Sequence, residues 1–354
     1  MQTNKRLAGK ALLAAAVAST LFGVSGAVFA QSTSAEAAMY KGADRQAKLV
    51  AAAKKEGEVN IYTSQPIDDM AVLTAAFEKK YGIKTRVWRA GSEKVLQRAV
   101  TEARANRFDA DIIETNGPEL ESLHREKLLQ EVASPYLADL IAPAIMPHRE
   151  WVGTRLNIFA FGYNPNLVKK EDLPKTYQDL LHPKWKGKLA IEAEDLDWFA
   201  GVIGELGEEK GLKLFRDIVA TNGISVRKGH TLLANLIAAG EVPLALTVYN
   251  YKAEQMKNKG APIDWFTINP AIARPNGVAV MKRAAHPNAA VLFYDFMISD
   301  AQALLLSRDF VPTSKKVDTK LNKMPIKFVD SKVILDENEK WEKLYTEIIT
   351  KQSK

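Results

Sequence analysis

Cysteine is absent from all 354 residues. That excludes disulfides, thiolate nucleophiles, cysteine-ligated zinc or iron–sulfur clusters, and a lipid anchor on a cysteine behind a leader. Histidine is scarce, with five residues at 124, 148, 182, 230 and 286, and none of them stand in the H-E-x-x-H spacing of a zinc hydrolase. A G-x-S-x-G nucleophile elbow, a G-x-G-x-x-G turn and a phosphate-binding P-loop are missing as well. An exported hydrolase of unfamiliar type is the enzymatic alternative that stays open. A strong charge of one sign is also lacking. The formal net charge of +7 includes Lys5, Arg6 and Lys10 of the first thirty residues, which hold no Asp or Glu, and subtracting those three leaves +4 on the remainder. The one basic tract, Lys315 to Lys327, is loose, so no nucleic-acid partner is expected.

The first thirty residues have the three parts of a secretory leader: the basic start, the apolar Ala11 to Val24, and the small-x-small site Val28-Phe29-Ala30 before Gln31. The run is short and rich in alanine, where a spanning helix needs about 20 strongly apolar residues. Cleavage after Ala30 leaves 324 residues, enough for two domains that rest on their cores alone.

After residue 40, short β-rich runs alternate with amphipathic helical runs, which predicts an α/β fold with a largely parallel sheet. "EVNIYTS" (58–64) reads as a strand. "DDMAVLTAAFEKKYG" follows as a helix with Ala71, Leu73, Ala75, Ala76 and Phe77 on its buried side and Gly82 as its stop. "IKTRVWRAG" is a strand and loop, "SEKVLQRAVTEARANR" a helix that Ser92 caps, and "ADIIET" a third strand. "WVGTRLNIFAFGYNPNLV" is a long strand, and "IDWFTINPAIARPNGVAVMK" is extended again. Between them lies a second α/β set, "GKLAIEA" to "VPLALTVY". Two long strands that bracket an inserted α/β unit predict a chain that crosses between two domains and returns, with a hinge and a cleft.

Three constellations are candidates for binding. In "LTVYNYKAEQM", Tyr249 and Tyr251 sit where a strand passes into a helix, so both hydroxyls can reach one cleft; packing at a core edge is the plainer alternative. In "IEAEDLDWFAG", Glu192, Glu194, Asp195 and Asp197 lie between a strand and a helix: Asp195 or Asp197 caps that helix, or one or two of the carboxylates, Glu194 and Asp195 first, face the cleft and with Trp198 hold a cation such as a polyamine-like or thiamine-like amine. Ser92 at a helix start, with Arg89 and Arg155 and with Arg227 and Lys228 from the second unit, would suit a phosphonate or phosphorylated solute.

The segments "AAAKKEGEVNIYTS", "FEKKYGIKTRVWRAGSEKVLQR", "ADIIET", "WVGTRLNIFAFGYNPNLV", "DLLHPKWKGKLAIE", "LANLIAAGEVPLALTVYNY" and "HPNAAVLFYDFMIS" cover most of residues 45–312. In this order they resemble the periplasmic solute-binding proteins of ABC importers, particularly the ferric-iron-binding group with the type II two-domain fold. The resemblance implies domains of 31–158 plus 270–312 and of 159–269 plus 313–354. It also implies a free periplasmic monomer that is not an enzyme, has no cofactor, and carries Fe(III) or another small solute to a permease in the inner membrane. Tyr249 and Tyr251 would be the main metal donors and Glu114 the third, with Ser64 or Gln65 a lesser contact; hard Fe(III) favours such oxygen donors. This sequence departs from the family pattern in three places: Asn250 separates the tyrosines, "YTSQPID" lacks a histidine, and Asn157 stands where an arginine is expected.

Overall fold

The computed structural model describes residues 33–319 and 324–351, so the leader expected at 1–30 lies outside the described residues. The chain begins with α1 (Ser34–Met39) and α2 (Arg45–Glu56), then runs β1 (Glu58–Thr63), α3 (Ile67–Tyr81), β2 (Lys84–Arg89), α4 (Ser92–Arg104), β3 (Ile112–Asn116), α5 (Gly117–Arg125) and β4 (Leu129–Gln130). The long β5 (Val152–Tyr163) leads into β6 (Leu189–Glu192), α6 (Leu196–Leu206), α7 (Glu208–Asn222), β7 (Ser225–Arg227), α8 (His230–Ala238), β8 (Leu244–Tyr249), α9 (Asn250–Asn258) and β9 (Asp264–Phe266). The second long strand, β10 (Ala271–Met281), is followed by α10 (Pro287–Met297), α11 (Ala301–Ser307), β11 (Val311–Pro312), β12 (Ile326–Phe328), α12 (Ser331–Asp336) and α13 (Asn338–Tyr345).

Local sequence explains most of these limits. In α3 the buried stripe is Met70, Leu73, Thr74, Phe77 and Tyr81, three and four residues apart as a helix requires. Ala71 and Ala75, expected inside, are exposed, because the stripe centres on Leu73 and Phe77. Gly82 takes the left-handed conformation at φ 70° and returns its N–H to the Glu78 carbonyl, which ends the helix. Phe77 meets Phe293 and Phe296 of α10 with ring centroids 5.0 and 5.5 Å apart. Helix α10 is buried on every side, and the buried Arg45–Asp295 ion pair fastens α2 to it. No single helix among the described residues is long and apolar enough to cross a membrane.

The main strand order is β2-β1-β3-β10-β5-β8-β6-β7. At one end β1 runs parallel to β2 and β3; at the other β6 runs parallel to β7 and β8. In the middle β10 is antiparallel to β3 and β5, and β5 to β8. Two α/β lobes are thus joined by two long strands. The extended stretch 263–282 divides in two: β9 pairs with the far end of β5, at Tyr163↔Asp264, and β10 with its beginning. Where β10 crosses β5, a Cβ on Gly277 would lie 2.3 Å from the Val152 carbonyl oxygen, so only glycine permits the approach. The C-terminal segment touches both lobes: α12 packs on α5, with Arg125 and Asp336 2.7 Å apart, and α13 packs on α6.

Candidate functional site

The two crossing strands carry the same short pattern, Arg155-Leu156-Asn157 in β5 and Arg274-Pro275-Asn276 in β10. Their antiparallel register sets Arg274 opposite Asn157 and Asn276 opposite Arg155. Opposed residues share a face and alternate residues return to it, so all four lie on one side of the sheet. Register with β3 adds Asn116, opposite Asn276, and Glu114, opposite Val278. An otherwise apolar sheet therefore carries a polar belt between the lobes. Five of the six are buried, and the Arg274 side chain is 12% exposed.

At the first-lobe end of the belt, Arg155 Nη1 donates to the Glu114 carboxylate and, at 2.9 Å, to Gln65 Oε1. The Thr63 hydroxyl donates to the other Glu114 oxygen, and Thr63 Oγ1 accepts the Gln65 N–H at 2.9 Å. The middle is an amide chain: Asn157 and Asn276 each donate to Asn116 Oδ1, at 3.2 and 3.1 Å, and Asn116 Nδ2 donates to Ser92 Oγ at 2.7 Å. At the second-lobe end, Arg274 Nη1 donates to Asp197 at 2.8 Å and Nη2 to the Tyr249 hydroxyl.

Tyr249 is the last residue of β8 and Tyr251 lies in the first turn of α9, and this junction brings the rings together, stacked with centroids 5.7 Å apart. Tyr249 also stacks on His230 at 3.7 Å, and Tyr251 leans on Phe310 at 4.2 Å. Burial pushes the Tyr249 phenol well above its ordinary value, although the Arg274 charge works the other way. Burial pushes Tyr251 up to about 12 against the opposing charge of Arg155. Burial also works against the Arg274 charge, but Asp197, Tyr249 and Asp195 outweigh it and hold the guanidinium firmly protonated. From α5, half-buried Glu119 lies near Arg274 and Asp197, and desolvation of its carboxyl holds it up at about 7.

Several buried polar atoms of the belt find no hydrogen-bond partner among the described residues: Gln65 Nε2, Arg155 Nε and Arg274 Nε as donors, Asn157 Oδ1 and Asn276 Oδ1 as acceptors. Buried polar groups are usually paired. Such a set, beside two phenols, can take up a small polar solute.

The expected residues fall into three groups. Tyr249 and Tyr251 come together at the belt, and Gln65, Glu114 and Arg155 form its first-lobe end. Glu114 is not an open carboxylate, however: Arg155 donates to one of its oxygens and Thr63 to the other. Ser64 and Ser92 sit beside the belt, Ser64 Oγ accepting from Thr115 at 3.1 Å. Ser92 is the first helical residue and not the cap, which is Gly91. Arg89 reaches the Ser64 and Gln65 carbonyls at 3.4 Å, so it meets Arg155 across Gln65. The acidic run is split. Glu194 turns outward to Lys228 at 2.5 Å, and Asp195 is fully buried 3.2 Å from His230. Trp198 points into the core and not into the cleft, edge-on to Phe215 at 5.7 Å, because the first turn of α6 directs it there. Asp195 precedes α6 without making a capping bond, whereas Asp197 Oδ1 accepts the Trp198 N–H at 2.9 Å.

Sequence reasoning missed Arg274, Asn276 and His230, and it left Asp197 undecided between a helix cap and the cleft. The first two had a signal, since polar residues at alternate positions of an apolar strand mark one polar face. For His230 there was none, as its meeting with Tyr249 is made by the fold; the acidic run pointed to Asp197 but not to Arg274 as its partner.

The sequence pattern of the family described as bacterial extracellular solute-binding protein matches residues 62–304. The chain is 24% identical over 287 residues to "Iron uptake protein A1" of Synechocystis sp., covering 74% of this chain and 79% of that one. It is 28% identical over 204 residues to the "Fe(3+)-binding periplasmic protein" of Serratia marcescens, covering 56% and 59%. The crystal structure of iron-bound HitA from Pseudomonas aeruginosa shares the fold, with a TM-score of 0.71, 23% identity and coverage of 82% of this chain and 99% of that one.

Proposed function

The chain belongs to the bacterial extracellular solute-binding protein family, and we propose that it captures ferric iron or a small ferric complex and delivers it to an ABC permease. The observation that carries the metal is the pair of stacked, buried phenols at the end of β8. Phenolate is a hard, charged oxygen donor suited to Fe(III). The names of the two relatives point the same way. Tyr249 and Tyr251 are the donors, and Glu114 serves by holding Arg155. The belt guanidiniums and amides hold the anionic part of a ferric complex, with Gln65, Ser64 and Ser92 around it.

The protein acts as an exported periplasmic monomer, released from a leader at residues 1–30, and performs no chemistry on its cargo. Residues 31–158 plus 270–312 form one lobe and 159–269 plus 313–354 the other, the last stretch also contacting the first lobe through α12. Each lobe contributes to the site, so a bound solute favours the closed arrangement and shifts the population toward it. The permease then reads the closed form.

A second reading, a phosphorylated or phosphonate solute, is favoured by the paired Arg-x-Asn segments, since guanidinium is the group of choice for phosphate. The organic-cation alternative loses its constellation, because Trp198 is in the core and Glu194 on the outside. The test is a visible absorption titration of the mature protein with ferric citrate. A tyrosinate-to-iron charge-transfer band that disappears in Tyr249→Phe supports the ferric reading. A flat spectrum, with a raised melting temperature in a phosphorylated solute, replaces it with the second.

A further inference from the structure

Two loops of the second lobe bring Glu192, Asp195 and His230 together, with one donor atom of each within 4.8 Å of the others. Glu192 braces the loops: its two carboxylate oxygens accept the N–H groups of Glu194 at 2.5 Å and Gly229 at 2.7 Å. These are the residues just before Asp195 and His230. Gly229 has φ 103°, a conformation that side chains rarely adopt, and it leads directly into His230, which opens α8 stacked on Tyr249.

The imidazole is held on one side only. His230 Nε2 lies 3.2 Å from Asp195 Oδ1, an ion-pairing distance off the geometry of a hydrogen bond. The other ring nitrogen, Nδ1, is buried and has no hydrogen-bond partner. Both polar atoms of the Asn250 side chain, next in sequence to Tyr249, are likewise buried and unpartnered. A carboxylate 3.2 Å from Nε2 favours the tautomer that carries its proton there, with the lone pair on Nδ1. That is how histidines are prepared for metals: the far nitrogen is fixed by a carboxylate and the near one ligates. The local charge suits a cation too. Asp195 and Asp197 lie about one guanidinium, that of Arg274, which donates to Asp197 and to Tyr249, and Glu192 stands beside Asp195. The imidazole also lies stacked on Tyr249, with ring centroids 3.7 Å apart.

We infer that His230 ligates the ferric ion through Nδ1 beside Tyr249, and that Asp195 is the positioning residue that fixes its tautomer. This rests on the ferric reading of the same site. Glu192 holds both loops and does not ligate, since its oxygens are taken by backbone N–H groups.

The experiment uses the full mature protein labelled with ¹⁵N-histidine and loaded from ferric citrate. The visible band and pulsed EPR are recorded on the same samples. The expected result is a tyrosinate band together with ¹⁵N hyperfine modulation in the wild type. The modulation is lost in His230→Ala, with affinity down at least tenfold. In Asp195→Asn the band persists and affinity falls about tenfold, as removal of a ligand's outer partner does. If His230→Ala does not fold, His230→Gln and the wild-type spectrum decide. A band without histidine modulation overturns the assignment of His230 and leaves the ferric reading standing. Modulation that survives His230→Ala does the same. Absence of any band in the wild type overturns the ferric reading itself.

Discussion

Replacing Tyr249 with phenylalanine removes one oxygen and keeps the ring, so the stacking on His230 at 3.7 Å and on Tyr251 at 5.7 Å survives. Two separable losses remain. In the free protein, Arg274 Nη2 loses its acceptor while Nη1 stays on Asp197 at 2.8 Å. A hydrogen bond to a charged group contributes about 1.5–3 kcal/mol, and because the guanidinium keeps its carboxylate the lower end applies. At about 2–4 °C per kcal/mol for a large domain, the melting temperature should fall by roughly 3–6 °C. In the loaded protein a metal donor is gone, and affinity for Fe(III) should fall at least tenfold, about 1.4 kcal/mol. Ferric citrate titration followed at the charge-transfer band reads the second loss, and thermal melting without iron reads the first. A variant that melts lower but binds iron with the wild-type band and affinity would refute the reasoning, and Tyr249 would then be only the partner of Arg274.

The other predictions follow from the same geometry. Burial keeps both phenols protonated near neutral pH, so the metal must displace their protons, and log K should rise by about two per pH unit from pH 6 to 8; competition titrations giving a flat profile would exclude coordination by both phenolates. Glu114→Gln leaves Arg155, 2% exposed, without its carboxylate, and should cost about 3 kcal/mol in urea denaturation while iron affinity changes less than tenfold. The opposite outcome would restore Glu114 as a metal donor. Glu119 has its carboxyl raised by burial from 4.5 to about 7, so the folded state binds its proton more tightly than the unfolded chain does. Its contribution is therefore complete below about pH 4.5 and is lost as pH rises through about 7, up to roughly 3 kcal/mol. The wild-type melting temperature should fall across pH 5–7.5 relative to Glu119→Gln, and parallel profiles would count against a desolvated, protonated Glu119.

The sequence by itself determined the things that depend on neighbours along the chain. Periodicity located α3 and α4, Gly82 marked the end of α3, and the alternation of strand and helix implied two α/β units. The long extended runs at 151–168 and 263–282 implied a crossing and a return. The tyrosines could be chosen as candidates because a strand-to-helix junction is itself a local feature. Tertiary structure decided who faces whom. Glu114 and Arg155 are 41 residues apart in the chain, and nothing in either segment announces that one neutralises the other. The reciprocal pairing of the Arg-x-Asn segments depends on a register fixed by the crossing of β5 and β10, which Gly277 permits. Asp195, Asp197 and Trp198 are equivalent cleft candidates on paper. A helix turn advances 100° per residue, so its first turn sends Trp198 to the core and Asp197 to Arg274, while the loop before it leaves Asp195 with His230. Sequence spacing sets which residue types are available, but the charge left over at a site depends on which of them the packing has already paired.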